Sequence, residues 1–483
     1  MLFGLCSFPK YSENFRILAN RKTIIMKKAL IFLASTLLCV SASAQYIPPV
    51  EEDVKARLAE WQDLKFGMFI HWGAYSQWGV VESWSLAPDD ISWQYGARVG
   101  KNMDYFDYIH AYEHLKDTFN PVKFDPGKWA DAAKYAGMKY VVFTTKHHDG
   151  FCMFDTHQTD YKVTDEGCAF HSDPRANIAK ELFDAYRARG IKAGAYFSIP
   201  DWHSNDFWWR RFPPKSVRAN YRASEHPEKW AAYQDYVAAQ LDELTSGEYG
   251  DLYLMWYDMP VTDDSSEAKY DWDRFAKVVR GNQPGMIMVA RGQHSIYENY
   301  QTPEQTIPEK ALDYPWESCV TMTYSWSYRP NIEYKSTATM LKMLVQIVSR
   351  GGNFLLNVGP GPDGTLEDTA YDRLREIGDW MQVNSDGIYA TRAVEPYQDG
   401  QVYYTAKGDY VYAFYIPEEG GSLPAEVAIP SFVPVSSKAV SLMGAKGTLK
   451  WRKDGSGSVV TIPSSIRKKL PCEHIWCFKI KVK

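Results

Sequence analysis

Leu252-Tyr-Leu-Met-Trp-Tyr-Asp-Met259 is an apolar, aromatic run of strand length that carries one carboxylate, Asp258, near its end. A run of this kind reads as a strand buried on both faces, as in a parallel sheet covered by helices. Burying a lone carboxylate costs several kcal/mol or more, so Asp258 is paired, hydrogen-bonded or functional. Two readings compete. Asp258 caps the helix that follows, or it belongs to the rim where barrel enzymes place their chemistry, at the C-terminal ends of the strands.

The same pattern recurs on both sides of that run. Phe66–His71, Tyr140–Thr145, Lys192–Ile199, Met286–Ala290 and Asn353–Val358 read as further strands. Between them, amphipathic stretches near 127–137, 174–189, 228–246, 266–280, 337–350 and 366–383 read as helices. Strand–helix alternation on this scale implies a parallel sheet with crossover helices, and its length suits an α/β fold of the (β/α)8-like barrel type. After about residue 390 the character changes. Short strands such as Tyr410–Ile416 and Ser458–Ile462 are separated by Gly, Pro, Ser and Asp, which predicts a C-terminal antiparallel β-sandwich over 389–483.

The 483 residues carry a net charge of −5 without a long charge run, which argues against nucleic acid or an anionic membrane surface as the main partner. With 17 Trp, 33 Tyr and 22 Phe the chain is rich in aromatic rings, which build cores and also pack against the C–H faces of sugars. Met26-Lys-Lys begins a basic, then apolar, stretch that ends in Ala42-Ser-Ala44. It reads as a secretory signal, so residues 1–44 are expected to be a leader with its true start at Met26, residues 45–388 the barrel, and the product exported to a bacterial periplasm or the extracellular space. Cys152, Cys168, Cys319, Cys472 and Cys477 are too sparse for a disulfide framework, although Cys472 and Cys477 are close enough in sequence to pair. No Cys/His spacing resembles a structural zinc site, and no cofactor or metal is expected.

Polar and aromatic residues follow each predicted strand. His71 and then Glu82 and Trp84 follow the first, His147 and His148 the second, and Trp256 and Asp258 close the fourth. Tyr196 lies in the third, which is followed by Asp201, Trp202 and His203; Arg291 follows the fifth. A barrel would bring all of them to one rim. Adjacent histidines in an extended segment point to opposite faces, so His147 and His148 offer one metal ligand each at most, with His203 as a third. There is no phosphate-binding loop, since Gly351-Gly-Asn353 and Gly359-Pro-Gly-Pro-Asp-Gly364 lack the lysine and the strand–loop–helix context. Carboxylates among histidines and aromatic rings suit a neutral, hydroxyl-rich ligand and glycosidic cleavage, in which one carboxylate attacks and another protonates the leaving group. Asp258 is the candidate nucleophile; the acid is expected on a later loop.

Lys65-Phe-Gly-Met-Phe-Ile-His-Trp-Gly73, Phe119-Asn-Pro-Val-Lys-Phe-Asp125, Trp129-Ala-Asp-Ala-Ala-Lys-Tyr-Ala-Gly137, Thr145-Lys-His-His-Asp-Gly-Phe151, Trp256-Tyr-Asp258, Trp316-Glu-Ser-Cys319 and Gly351-Gly-Asn-Phe-Leu-Leu-Asn-Val-Gly359 resemble, in order and spacing, the α-L-fucosidases of glycoside hydrolase family 29. The resemblance runs from about Trp61 to Tyr389. It implies a barrel with a C-terminal β-sandwich, a retaining mechanism without a metal, and a fucosylated oligosaccharide or glycoconjugate as substrate. It implies Asp258 as nucleophile, and His71, His147, His148, Tyr196, Trp256 and Arg291 around the fucose. Trp326 falls where the family often has an aromatic against the sugar methyl. Glu82 and Trp84 fall where it has a Glu-Trp pair, but Ser83 separates them here. Glu304 is expected as the acid/base, with Glu317 the alternative and Glu298 third. The competing classes are a non-catalytic glycan-binding protein on the same fold and a metal-dependent hydrolase using His147, His148 and His203.

Overall fold

A computed structural model describes residues 46–88, 103–258 and 267–483. The expected leader lies outside the described residues. Seven parallel strands form one curled sheet: β1 (Phe66–Ile70), β2 (Tyr140–Lys146), β3 (Lys192–Ser198), β4 (Leu252–Asp258), β5 (Ile287–Ala290), β6 (Glu317–Thr321) and β7 (Asn353–Val358). Their order is β5-β4-β3-β2-β1-β7-β6. The two edges are bridged by residues 297–305, which lack an apolar run and form no regular strand. Asn299 N donates to Met288 O of β5, while Glu317 N of β6 donates to Gln301 O and Gln305 N to Cys319 O. Among the described residues the expected (β/α)8-like barrel is therefore seven strands and an irregular bridging segment.

Side chains alternate along each strand. Phe69, Val142, Tyr196, Leu254, Trp256, Val289, Cys319 and Leu355 pack together in the interior of the curled sheet. Met68, Ile70, Val141, Phe143, Ala195, Met255, Tyr257 and Leu356 belong to the larger core shared with the helices. This explains the continuous apolar runs, because both faces of each strand are buried.

The crossover helices form where the sequence supplies caps. Pro126–Tyr135 opens with Pro126 at its first position, and Asp125 accepts from Lys128 N. Ile178–Arg187 is capped by Asn177 and Thr337–Ser349 by Ser336. The helix after β4, Trp272–Asn282, is capped by Asp271, whose side chain accepts from Arg274 N. The capping role weighed for Asp258 is thus filled by Asp271.

Beyond the barrel, β8 (Arg392–Asp399), β9 (Val402–Lys407), β10 (Tyr410–Tyr415), β11 (Glu426–Ile429), β12 (Val440–Leu442), β13 (Lys450–Asp454), β14 (Gly457–Thr461) and β15 (Trp476–Lys481) follow. They make antiparallel sheets of order β12-β15-β10-β9-β8 and β11-β14-β13. Tyr404, Val427, Ile429, Val460 and Phe478 fill the apolar core of this region. Its outermost strand, β8, carries Pro396, a residue tolerated at sheet edges. β8 and β9 pack on the helix Thr337–Ser349, and Gln346 Nε2 donates to Tyr403 Oη at 3.1 Å. The pairing weighed for Cys472 and Cys477 is not made: Cys472 Sγ faces Ile475 O at 3.3 Å, and all five described cysteines are free. No helix among the described residues is long and apolar enough to cross a membrane.

A buried ion pair ties the end of β2 to the loop after β3. Lys146 Nζ lies 3.3 Å from Asp201 Oδ2 and donates to Gln240 Oε1 at 2.9 Å, and Tyr236 Oη donates to the same Asp201 oxygen at 2.9 Å. Lys146→Ala would leave Asp201 as a buried, uncompensated charge. It is expected to lower the free energy of unfolding by about 3–5 kcal/mol, read from urea denaturation; a loss below about 1 kcal/mol would show that the pair holds nothing.

Candidate active site

The inward alternation that builds the core also builds the site. One step of two residues beyond Leu254 and Trp256 brings Asp258 to the C-terminal end of β4; the same step takes Phe69 to His71, Val289 to Arg291 and Leu355 to Asn357. Asp258 is 15% exposed and sits between two donors. Tyr196 Oη donates to its Oδ2 at 2.8 Å, and Arg291 Nη1 donates to its Oδ1 at 2.7 Å. Burial alone would raise its pKa. The Arg291 charge, His148 and the two hydrogen bonds outweigh burial and hold it below the usual carboxylate range. The other end of the guanidinium, Nη2, donates to Glu304 Oε2 at 2.8 Å. One side chain therefore joins the two carboxylates, and Arg291 also lies 4.8 Å over the Trp256 ring.

Three histidines line the same rim, each with Nδ1 on a fixed partner. His71 Nδ1 meets Asn357 Oδ1 at 2.7 Å, His147 Nδ1 meets Ser83 Oγ at 2.5 Å, and His148 Nδ1 meets Ser198 Oγ at 2.6 Å. Burial pushes His71 and His148 down to about 4, and burial together with its two histidine neighbours pushes His147 well below the ordinary value. β2 ends at Lys146 and the chain turns, with Gly150 N donating to His147 O at 3.0 Å. Both rings consequently face one pocket, 4.1 Å apart, and the expectation that they point to opposite faces fails because the segment is a turn and no longer extended. Tyr196 stacks between His147 and Trp256 at 5.5 Å from each. Trp326 lies 4.9 Å from His71, and Trp84 lies 5.1 Å from His148. A depressed carboxylate, a second carboxylate on the same guanidinium, neutral imidazoles and aromatic walls can hold an uncharged polyol and run two-carboxylate chemistry on it.

Residues 34–386 match the family model described as α-L-fucosidase, and residues 396–481 match that of the α-L-fucosidase C-terminal domain. The chain belongs to the α-L-fucosidase family. It is 30% identical over 491 residues to the plasma α-L-fucosidase of Rattus norvegicus, covering 94% of this chain and 98% of that one. α-L-Fucosidase isoenzyme 1 from Paenibacillus thiaminolyticus superposes with a TM-score of 0.73 at 29% identity, over 89% of this chain and all (100%) of that one. The Thermotoga maritima α-fucosidase, solved in complex with a mechanism-based inhibitor, gives 0.69 at 26% identity, over 91% and 100%. The enzyme is a glycoside hydrolase of this family, and its curled parallel sheet followed by antiparallel sheets is the fold of those structures.

In this fucosidase the rim gathers Asp258, Glu304, Arg291, His71, His147, His148, Tyr196, Trp256, Trp84 and Trp326. Four expected residues lie elsewhere. Glu317 is the first residue of β6 and so sits at the opposite, N-terminal end of the strands. It is fully buried, and Tyr140 Oη (2.5 Å), Trp256 Nε1 (3.3 Å) and Tyr300 Oη (3.3 Å) all donate to it. Burial pushes it up to about 7, and it supports the Trp256 ring from below. Glu82 accepts from Ser327 N at 2.7 Å, beside Trp326 in the chain, and burial pushes it up to about 7 as well. Between Glu82 and Trp84 it is Ser83 that meets His147. Glu298 accepts from Gly292 N and His294 N, each at 2.9 Å, and holds the loop after Arg291. His203 pairs with Glu113 at 3.0 Å and stacks on Tyr161, so the His147–His148–His203 metal set does not assemble. His147, His148 and Asp258 do bring ligand atoms within 4.8 Å of one another. Ser83, Ser198 and Asn357 are absent from the sequence-based set. Asn357 was legible, since it continues the inward face of Leu355; the two serines carry no such signal.

Removing the guanidinium charge takes away the strongest force that lowers the Asp258 pKa. Arg291→Met is expected to move the acid limb of kcat/KM against pH, measured with an aryl α-L-fucoside, upward by about 1–3 units. An unmoved limb would place the control of Asp258 ionisation in another group.

Proposed function

We propose that the enzyme is an exo-acting α-L-fucosidase that releases L-fucose with net retention, with Asp258 as nucleophile and Glu304 as acid/base. The observation that carries this reading is the single Arg291 guanidinium that bridges both carboxylates, because a retaining pair must stand close enough to reach one anomeric carbon. Their environments differ in the sense the roles require. Asp258 is enclosed and kept ionised, whereas Glu304 is 42% exposed, where solvent and a leaving group can reach it. In the first step an Asp258 oxygen forms a bond to C1, the C1–O bond to the aglycone breaks, and the Glu304 proton passes to the departing oxygen. In the second, Glu304 removes a proton from water, which attacks C1 and returns the electron pair of the ester bond to Asp258. His71, His147, His148 and Trp326 line the sugar subsite, which the rings close around one residue. A mechanism-based inhibitor bound to the Thermotoga maritima relative accords with this reading. The Met26–Ala44 stretch supports export of the mature chain, which N-terminal sequencing of secreted material tests.

The purified chain is expected to release fucose from an aryl α-L-fucoside or a branched fucosylated oligosaccharide, with the α-anomer appearing first by proton NMR. First appearance of the β-anomer would rule out retention; binding without release would favour a glycan-binding protein. Asp258→Ala is expected to lower kcat by more than about 10³-fold with an unchanged circular dichroism spectrum. Glu304→Ala is expected to cost about 10²–10⁴-fold on poor leaving groups and far less on activated ones. Activity that EDTA abolishes and zinc restores would instead assign His147, His148 and Asp258 to a metal.

A further inference from the structure

We propose that Asn357, Ser198 and Ser83 lock the three rim histidines into opposed tautomers, so that His71 and His148 present bare Nε2 acceptors to the sugar while His147 presents an Nε2–H donor. The assignment follows from where each partner's own hydrogens go. Asn357 Nδ2 donates to Trp326 O at 2.6 Å, which fixes the amide and leaves Oδ1 as an acceptor only. His71 must then carry its proton on Nδ1. Ser198 Oγ spends its single hydrogen on Pro200 O at 2.6 Å, so it accepts from His148 Nδ1–H. His148 Nε2 is left bare, fully buried and without a hydrogen-bond partner, 3.8 Å from Asp258 Oδ2. A bare nitrogen so close to a carboxylate is satisfied by a hydroxyl that donates to it.

Ser83 works in the reverse sense. Its Oγ already accepts from Asp149 N at 3.0 Å, and among the described residues the acceptor it meets is His147 Nδ1. A buried hydroxyl without an acceptor is costly, so Ser83 donates and the His147 proton sits on Nε2. Neighbouring rings 4.1 Å apart thus offer opposite hydrogen-bonding signs. On the fucosidase reading, on which the ligand half of this proposal rests, the sugar hydroxyls facing His71 and His148 must donate and the one facing His147 must accept. Ser83, Ser198 and Asn357 are positioning residues that act through the imidazoles.

The test is nitrogen-15 NMR of the full mature chain labelled in its histidine rings, at neutral pH and without ligand, with long-range correlations assigned by single His→Gln variants. The expected result is Nδ1–H for His71 and His148 and Nε2–H for His147. His147 in the Nδ1–H form, or all three alike, would overturn the proposal. Ser83→Ala is expected to shift His147 toward the Nδ1–H form, leave His71 and His148 unchanged, and raise KM for an aryl α-L-fucoside by about 3- to 10-fold with a smaller change in kcat. Ser83→Thr, which keeps the hydroxyl, is expected to restore both; a Ser83→Ala variant with unaltered His147 signals would refute the anchoring role. Because the tautomers are read without substrate, a chain that released no fucose would refute the fucosidase reading while leaving the tautomer assignment standing.

Discussion

The ion pair between Arg291 and Asp258 is the contact on which the site depends, and the molecule contains its own controls. Glu82, Asp149 and Glu317 are more deeply buried than Asp258, and each accepts hydrogen bonds. None has a cation in contact among the described residues, and burial pushes all three up to about 7. Asp258 alone of these four is held below the ordinary range. Hydrogen bonds from neutral donors do not overcome desolvation at these three carboxylates; at Asp258, which is less buried, the guanidinium at 2.7 Å is the largest influence that does. Ionisation of the carboxylate at the end of β4 is therefore a property conferred by β5.

That dependence explains which parts of the chain were legible in its sequence. β1 to β5 and β7 announce themselves because a strand buried on both faces needs an unbroken apolar run. β6 does not, because it begins with Glu317 and its run, Glu-Ser-Cys-Val-Thr, is broken by polar residues. The bridge over residues 297–305 is a set of single backbone bonds to two different strands, which no periodicity encodes. At the site, the rule that chemistry follows strand ends located His71, His147, His148, Asp258 and Arg291. Glu317, the alternative acid, came instead from a family motif, which places a residue in order along the chain but does not say which end of a strand it occupies. It was silent on Ser83 and Ser198, which meet their histidines across 64 and 50 residues.

The histidine turn also shows how stability and function share residues. Lys146, immediately before His147, is pinned by Asp201. The other Asp201 oxygen accepts from His203 N at 3.0 Å and Ser204 N at 2.9 Å, so one carboxylate binds the loop after β3 to the end of β2. Gly150, which closes the turn, has a φ of +81°, and a Cβ there would stand 2.2 Å from Asp201 Oδ1. Only glycine meets both demands, the left-handed backbone and the close approach. The orientation of His147 and His148 is thereby a consequence of a buried ion pair that faces away from the pocket.

Neutral histidines complete the electrostatic logic. An imidazolium at His148, 3.8 Å from Asp258 Oδ2, would compete with Arg291 for the carboxylate and repel the guanidinium. It would also lose the bare nitrogen that a sugar hydroxyl can use. Because burial holds His71 and His148 down to about 4, both stay uncharged from mildly acidic pH upward. The sign follows directly: the folded rings stay neutral down to about 4 while an unfolded histidine takes up its proton near about 6.5, so the two rings cost stability as pH falls between those values and no more below them. A carboxylate that must be charged and imidazoles that must not be are thus held side by side, the first by a cation drawn from the next strand and the second by exclusion of water.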